Sequence, residues 1–375
     1  MKIGITIFVI LISNAILCAQ DLNDIKWISV VNQNMSQDFE NTPIFRLPVM
    51  VCCNNGDIII GSEAKNDKDE FQFYAISLSN NSGLSFTAKR SEIAMAELVY
   101  DKINDRVFSY AINTFYASDD HGKTWYDYKS NLNIVKPDYY DIYCMSPTTG
   151  IQLKNGILVV PLRFVRFKRD SNGKKMGRID KTTVFLLYSK DYGKTWQQTP
   201  MTPSDIIADE VAIVEYADNQ VMLNARGGTE YFWEKSNNGR RVFVPQKQCK
   251  SPMSKWIIDG WKLEKKSDGK INDPICHASI LNATIKNKTV GLFCNPDMPE
   301  GVYWPRTNMY LRVSRDFKHW QGVMSLTPKD YPLWGYSALA SNNNRIYFAY
   351  EDKNRGILFC DLEFCKDKIL KSIKR

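Results

Sequence analysis

Ser118-Asp119-Asp120-His121-Gly122-Lys123-Thr124-Trp125 and Ser189-Lys190-Asp191-Tyr192-Gly193-Lys194-Thr195-Trp196 are two copies of one phrase, S-x-D-x-G-K-T-W. Each follows a short apolar run, 114–117 in the first case and 183–188 in the second. The pattern reads as strand, turn, strand. An Asp side chain in such a turn accepts hydrogen bonds from nearby backbone N–H groups, and Gly supplies a backbone angle that other residues resist. The Trp opens the return strand and is expected to pack inward. Agreement at six of eight positions makes a chance match a poor account.

Weaker copies extend the repeat. Ser79 to Phe86 keeps the Ser, the Gly and an aromatic end, with Asn81 in the Asp place. Ser314 to Trp320 keeps Ser, Asp and Trp but lacks the Gly and one residue. Ser236 to Gly239 is a fifth, worn candidate. Repeated hairpins of this kind build repeated four-stranded sheets, and those build propellers.

The chain has 375 residues. Its N-terminus reads as a secretory signal over residues 1–19, with Lys2 as the positive end, an apolar run from Ile3 to Leu17, and Ala19 at the cleavage point. The apolar run is short for a membrane span. Residues 20–375 then form one all-β unit, and six blades would take roughly 59 residues each. The expected location is secreted, periplasmic or at the cell surface. Cys18 raises a lipid anchor as an alternative, although Leu17 is a poor residue before it. The net charge of +8 is spread along the chain and reads mainly as surface composition, which could also help draw in an anionic substrate. No motif points to nucleic acid.

Eight cysteines follow the leader, and Cys360 with Cys365 could close a small loop. Buried free thiols are the equal alternative in a large β-protein. With three histidines and no C-x-x-C or H-E-x-x-H pattern, no metal site is expected, and no cofactor.

Several polar residues sit where strands should be. Arg46 lies between Phe45 and Leu47 ahead of Pro48, which is costly unless its charge is answered or the strand is an edge. Glu210 precedes the apolar run from Val211, and Arg226 ends the returning strand, so hairpin pairing brings the two together at one rim. Arg306 stands just before the strand that begins near Met309. Tyr336 reads by itself as an ordinary strand tyrosine.

Together these motifs resemble sialidases, and the S-x-D-x-G-x-T-W phrase resembles their Asp box. That box alone implies a fold and not an activity. Ile44-Phe45-Arg46-Leu47-Pro48 matches the family's F-R-[IL]-P, Arg306-Thr307-Asn308-Met309 its R-x-N-[LM], and Tyr336-Ser337-Ala338-Leu339 its Y-S-x-L. The match runs to about Asp352. The resemblance implies a six-bladed β-propeller and an exo-α-sialidase acting with retention on sialylated glycans, expected as a monomer. It assigns Arg46, Arg226 and Arg306 to the substrate carboxylate, Tyr336 as nucleophile, Glu210 as its base with Glu215 as runner-up, and Glu351 as the residue that orients Arg46. For the acid–base group the loop from Asn66 to Glu70 offers three acids. Spacing favours Asp69, with Asp67 second and Glu70 also open. Lys65 stands where the family commonly has an Arg. Hydrolases of related acid sugars such as Kdn or Kdo, trans-sialidases, and non-catalytic sialoside-binding propellers remain the alternatives.

Overall fold

The computed structural model describes residues 22–373, apart from 41, 146, 202–208, 227–229, 233–241, 245–252, 258–261, 266–270, 272–273, 275, 300–301, 303 and 343. The fold is an all-β propeller, and the described strands fall into six sheets. The first is the antiparallel meander Ile44–Cys52, Ile58–Lys65, Phe71–Ser79 and Thr87–Ser91. Meanders starting at Val211, Ser279 and Leu333 repeat that four-stranded plan.

Two sheets are larger. The one that starts at Glu97 gains a short parallel strand, Thr148–Thr149, beside its first member. The next is dominated by the long hairpin Leu158–Arg169 and Lys175–Ser189, and Asn131–Asn133, Ile142–Met145, Glu230–Phe232 and Val242–Val244 add to it. The sheet that starts at Leu333 takes its fourth strand from the other end of the chain. Ile28–Val31 pairs antiparallel with Gly356–Asp361, so the N-terminal segment closes the ring.

Alternating strand residues point to opposite sheet faces, and both faces are apolar because each sheet is covered by its neighbours. Phe108, Phe115, Leu158, Phe164, Phe185 and Trp196 form one such inter-sheet cluster. Val30, Phe45, Ile60, Ala349 and Phe359 form another, between the last sheet and the first. Ile369 of the short C-terminal helix Lys366–Ser372 completes a third, with Leu292, Leu311 and Phe348.

The repeated phrase forms the turn between third and fourth strands. Ser118 Oγ donates to Asp120 Oδ1 at 2.8 Å and accepts the N–H of Gly122 at 2.7 Å, while Thr124 N–H donates to Asp120 Oδ1 at 2.9 Å. Ser189, Asp191, Gly193 and Thr195 repeat these bonds at 2.8 Å each. Trp125 and Trp196 each donate Nε1–H to the Gly carbonyl at 3.1 Å. Trp196 is wholly buried and stacks on Phe115 at 4.4 Å, whereas Trp125 is only half-buried. Asn81 accepts Ser85 N–H at 3.0 Å in the same way. The copy at Ser314 is one residue shorter: Phe317, at a φ of 56°, stands where His121 and Tyr192 stand at 58° and 56°, and the Gly position is the one missing. The candidate at Ser236 lies outside the described residues.

Cys52, Cys53, Cys276, Cys294, Cys360 and Cys365 are all buried free thiols. Cys360 and Cys365 do not form the loop-closing bridge. Both side chains belong to the apolar core of the last sheet and the C-terminal segment, and the Cys365 thiol donates instead to Leu362 O at 3.2 Å.

Candidate active site

In each four-stranded meander the first strand begins, and the second ends, at the end of the sheet opposite the Asp-box turn. The polar residues singled out in the sequence collect at that end. Arg46 is near the start of a first strand, Glu210 directly precedes one, and Tyr336 is near the start of another. Arg226 directly follows a second strand and Glu351 is near the end of one. Arg306 precedes a third strand, and Asp69 sits in a loop between second and third strands.

A slip in register between Arg46 and Val49, with Leu47 at a φ of 57°, interrupts the first strand and frees the arginine from regular pairing. Its charge is answered by buried Glu351, with Nε and Nη2 donating to the two carboxylate oxygens at 3.2 Å each. Glu351 also accepts the backbone N–H of Leu47 at 3.0 Å and of Tyr336 at 2.9 Å. The Arg46 guanidinium lies over the rings of Trp334 and Tyr336, at 4.6 and 5.4 Å.

Glu210 and Arg226 meet as hairpin pairing requires. Arg226 N–H donates to Glu210 O at 2.8 Å, and Arg226 Nη1 to Glu210 Oε2 at 2.7 Å. Tyr336 closes a triangle with them. Its phenol donates to Glu210 Oε2 at 2.6 Å and accepts from Arg226 Nη1 at 2.7 Å. Glu215 is elsewhere, binding the backbone N–H groups of Lys154 and Asn219. Arg306 bridges to Leu333, donates to Trp334 O at 2.7 Å, and places its guanidinium 6.0 Å from the Tyr336 ring centre. Gly335, at a φ of 103°, leaves room for this. A Cβ there would lie 2.7 Å from Arg306 Cδ and 2.9 Å from Cys276 Sγ.

Of the three acids in the loop from Asn66, Asp69 turns inward. It lies 3.5 Å from Arg46 Nη1 and 3.3 Å from Lys65 Nζ. Glu70 accepts from Asn66 in its own turn at 2.8 Å, and both Glu70 and Asp67 are exposed. Lys65 therefore holds the acid from the position where an Arg is common, and also reaches Glu63 at 3.4 Å.

The surroundings set the charges. Burial alone would raise Glu210, but Arg226 and Arg163 outweigh it and hold the carboxylate well below its ordinary range. Burial drives the Tyr336 phenol well above 10, against the pull of Arg226, so the resting site holds a neutral phenol beside a carboxylate.

Three neighbours were not singled out in the sequence. Arg163 forms an ion pair with Asp209 and lies 3.8 Å from Glu210 Oε1. The pairing of its long hairpin, Leu158–Arg169 with Lys175–Ser189, brings it inward. Trp334, two residues before Tyr336 on the same strand, carries the Arg46 contact. His277 lies under Tyr336, and nothing in its local sequence marks it. Tyr303 lies outside the described residues, while Trp304 is exposed and tilted against Trp334 at 5.6 Å. Among the described residues, no cluster of His, Cys, Asp and Glu could hold a metal ion.

The architecture defines an Asp-box propeller with three buried arginines gathered around one tyrosine on one face. The chain belongs to the family of BNR repeat-like domains, whose model matches residues 66–348. A sialidase of Bacteroides fragilis (strain YCH46) is 26% identical over 237 residues, 60% of this chain, and the match spans 36% of that longer relative. Among solved structures, a Hadza microbial sialidase aligns with a TM-score of 0.64 and 17% identity, covering 86% of this chain and 66% of that one. Trypanosoma rangeli sialidase aligns with a TM-score of 0.63 and 16% identity, covering 92% of this chain and 60% of that one. The likeness to sialidases expected from the motifs thus appears in both sequence and fold.

Proposed function

We propose that the chain is an exo-α-sialidase acting with retention through Tyr336. One observation carries the reading: three buried guanidiniums surround one tyrosine that is hydrogen-bonded to a carboxylate. Sialic acid bears its carboxylate on the anomeric carbon. Forked, charge-assisted hydrogen bonds from Arg46, Arg226 and Arg306 suit that group, and lysines would not reproduce them. A carboxylate nucleophile would be repelled by the substrate, which explains a tyrosine where most retaining glycosidases use Asp or Glu.

The phenol needs a base, and Glu210 Oε2 already holds its proton in a hydrogen bond. In the first step Tyr336 Oη bonds to the anomeric carbon, its proton passes to Glu210, and Asp69 protonates the departing oxygen. In the second, Asp69 takes a proton from water. That water attacks the anomeric carbon, the bond to Tyr336 breaks, and Glu210 returns the proton. A substrate carboxylate at Arg226 competes with Glu210 for the guanidinium. This weakens the field that keeps Glu210 ionised and makes it a better base on binding.

The same reading takes each of the six sheets as one blade, supported by an apolar cluster between each consecutive pair. The leader over residues 1–19 would deliver the enzyme to where sialylated glycans are met.

Release of fluorophore from an N-acetylneuraminic acid glycoside, compared with Tyr336→Phe, tests the reading. Turnover that falls by several orders of magnitude in the variant supports it. No turnover by folded wild-type protein, on this glycoside or on Kdn and Kdo glycosides, would sink it in favour of a sialoside-binding propeller.

A further inference from the structure

We infer that His277 is a positioning residue, whose neutral imidazole fixes the plane of the Tyr336 ring relative to Glu210. This deepens the sialidase reading and rests on it for the meaning of Tyr336 as nucleophile. His277 has 2% of its surface exposed, and its ring lies parallel to that of Tyr336, with 8° between planes and 5.7 Å between centres. Its Nε2 lies 3.4 Å from Val211 O, the carbonyl of the residue directly after Glu210. One flat side chain therefore touches the nucleophile by its face and the backbone of the base's strand by its edge.

The geometry matters because the hydrogen bonds that hold the nucleophile, among the described residues, lie at its two ends. Glu351 takes the backbone N–H of Tyr336, while Glu210 and Arg226 hold the hydroxyl. Substrate binding must disturb the hydroxyl end, since Arg226 and Glu210 are then engaged elsewhere. The ring face is the contact that persists, and Arg46 and Arg306 over the ring at 5.4 and 6.0 Å would themselves turn toward the substrate carboxylate.

The contact calls for an uncharged partner. Nε2 facing a carbonyl fixes Nε2–H as the donor, and Nδ1 is buried with no partner among the described residues. A further positive charge beneath the phenol would add to those of Arg226, Arg306 and Arg46. Burial keeps the imidazole neutral, down to about 4, against Glu210 and Glu351, which favour its charged form. His277 also lines a small axial cavity of about 30 Å³, shared with Thr148, Thr149, Ser279 and Ser337. That is room for about one water beside polar groups.

The test compares wild type with His277→Ala, His277→Gln and His277→Phe by two readouts. In steady-state hydrolysis, His277→Ala is expected to lose about tenfold or more in kcat with KM within about twofold, because ring placement and not carboxylate binding is disturbed. His277→Phe restores a flat ring and should recover part of kcat. Unchanged kcat in His277→Ala, or KM rising as kcat falls with no recovery in His277→Phe, overturns the inference. The second readout is the Tyr336 ring signal in tyrosine-labelled protein, assigned by its loss in Tyr336→Phe. It should be single and sharp in wild type and His277→Phe, and shifted or broadened in His277→Ala. An unmoved signal also overturns the inference. If His277→Ala does not fold, His277→Gln, which keeps a donor for Val211, takes its place. The ring signal needs no turnover, so an inactive wild type would sink the sialidase reading while this inference stood or fell separately.

Discussion

Glu351 grips Arg46 through both carboxylate oxygens, at 3.2 Å each, from a position with no solvent exposure. Its two further bonds, from Leu47 N–H and Tyr336 N–H, tie the first and last sheets of the ring together behind the site. Removing one partner of a buried ion pair leaves the other charge buried and poorly answered, which costs about 3–5 kcal/mol. Glu351→Ala should lose stability of that order in urea unfolding, and hydrolysis should fall with it because Arg46 and the Tyr336 backbone lose their common anchor. A loss well under about 1 kcal/mol would mean that Asp69 or water answers Arg46 adequately.

His277 makes stability depend on pH in a definite direction. The folded protein keeps the imidazole neutral to about 4, chiefly by burial and with help from Arg226, against Glu210 and Glu351. The unfolded chain protonates near its ordinary value of about 6.5. Between these values the unfolded state binds more protons, so stability rises with pH and is lost as pH falls from 6.5 toward 4. Glu210 works in a different window. Its folded value is depressed, so its contribution is intact above about 4.3 and fades only below that. From pH 7.5 to 5, wild type should therefore lose about 2 kcal/mol more unfolding free energy than His277→Phe. Parallel pH curves for the two proteins would show that the imidazole is not held neutral.

The sequence made the propeller legible because its Asp-box turn is local chemistry. Ser118, Asp120, Gly122 and Thr124 satisfy one another within seven residues, so their order along the chain is their structure. The Glu210–Arg226 pair was legible for a similar reason, since one hairpin fixes the register between them. Arg46 was readable as a charge that needed an answer, but not, from its own neighbours, as one answered by Glu351, 305 residues on. The family motifs were needed for that. His277 and Arg163 escaped altogether. Their contacts with Tyr336, Asp209 and Glu210 arise where separate sheets meet at the axis, and such contacts leave no spacing in the sequence. Of the two alternatives open for Cys360 and Cys365, buried free thiols are the one seen, and the sequence could not choose because closeness in the chain says nothing about where two thiols pack.

Asp69 gives the sharpest separation among the acids of its loop. It sits at a φ of 62°, within 3.5 Å of Arg46 and 3.3 Å of Lys65, while Asp67 faces solvent. If Asp69 protonates the leaving oxygen, its loss should hurt most where that oxygen leaves as a poor, basic group. Asp69→Asn should lower kcat/KM on a natural sialyl-lactose by about 10²–10⁴-fold, and by much less on an activated aryl sialoside, whose phenolate leaves without help. Asp67→Asn should leave both substrates within about twofold of wild type, since an exposed surface charge contributes little. Equal losses on the two substrates for Asp69→Asn, or a larger loss for Asp67→Asn, would take the acid–base role away from Asp69.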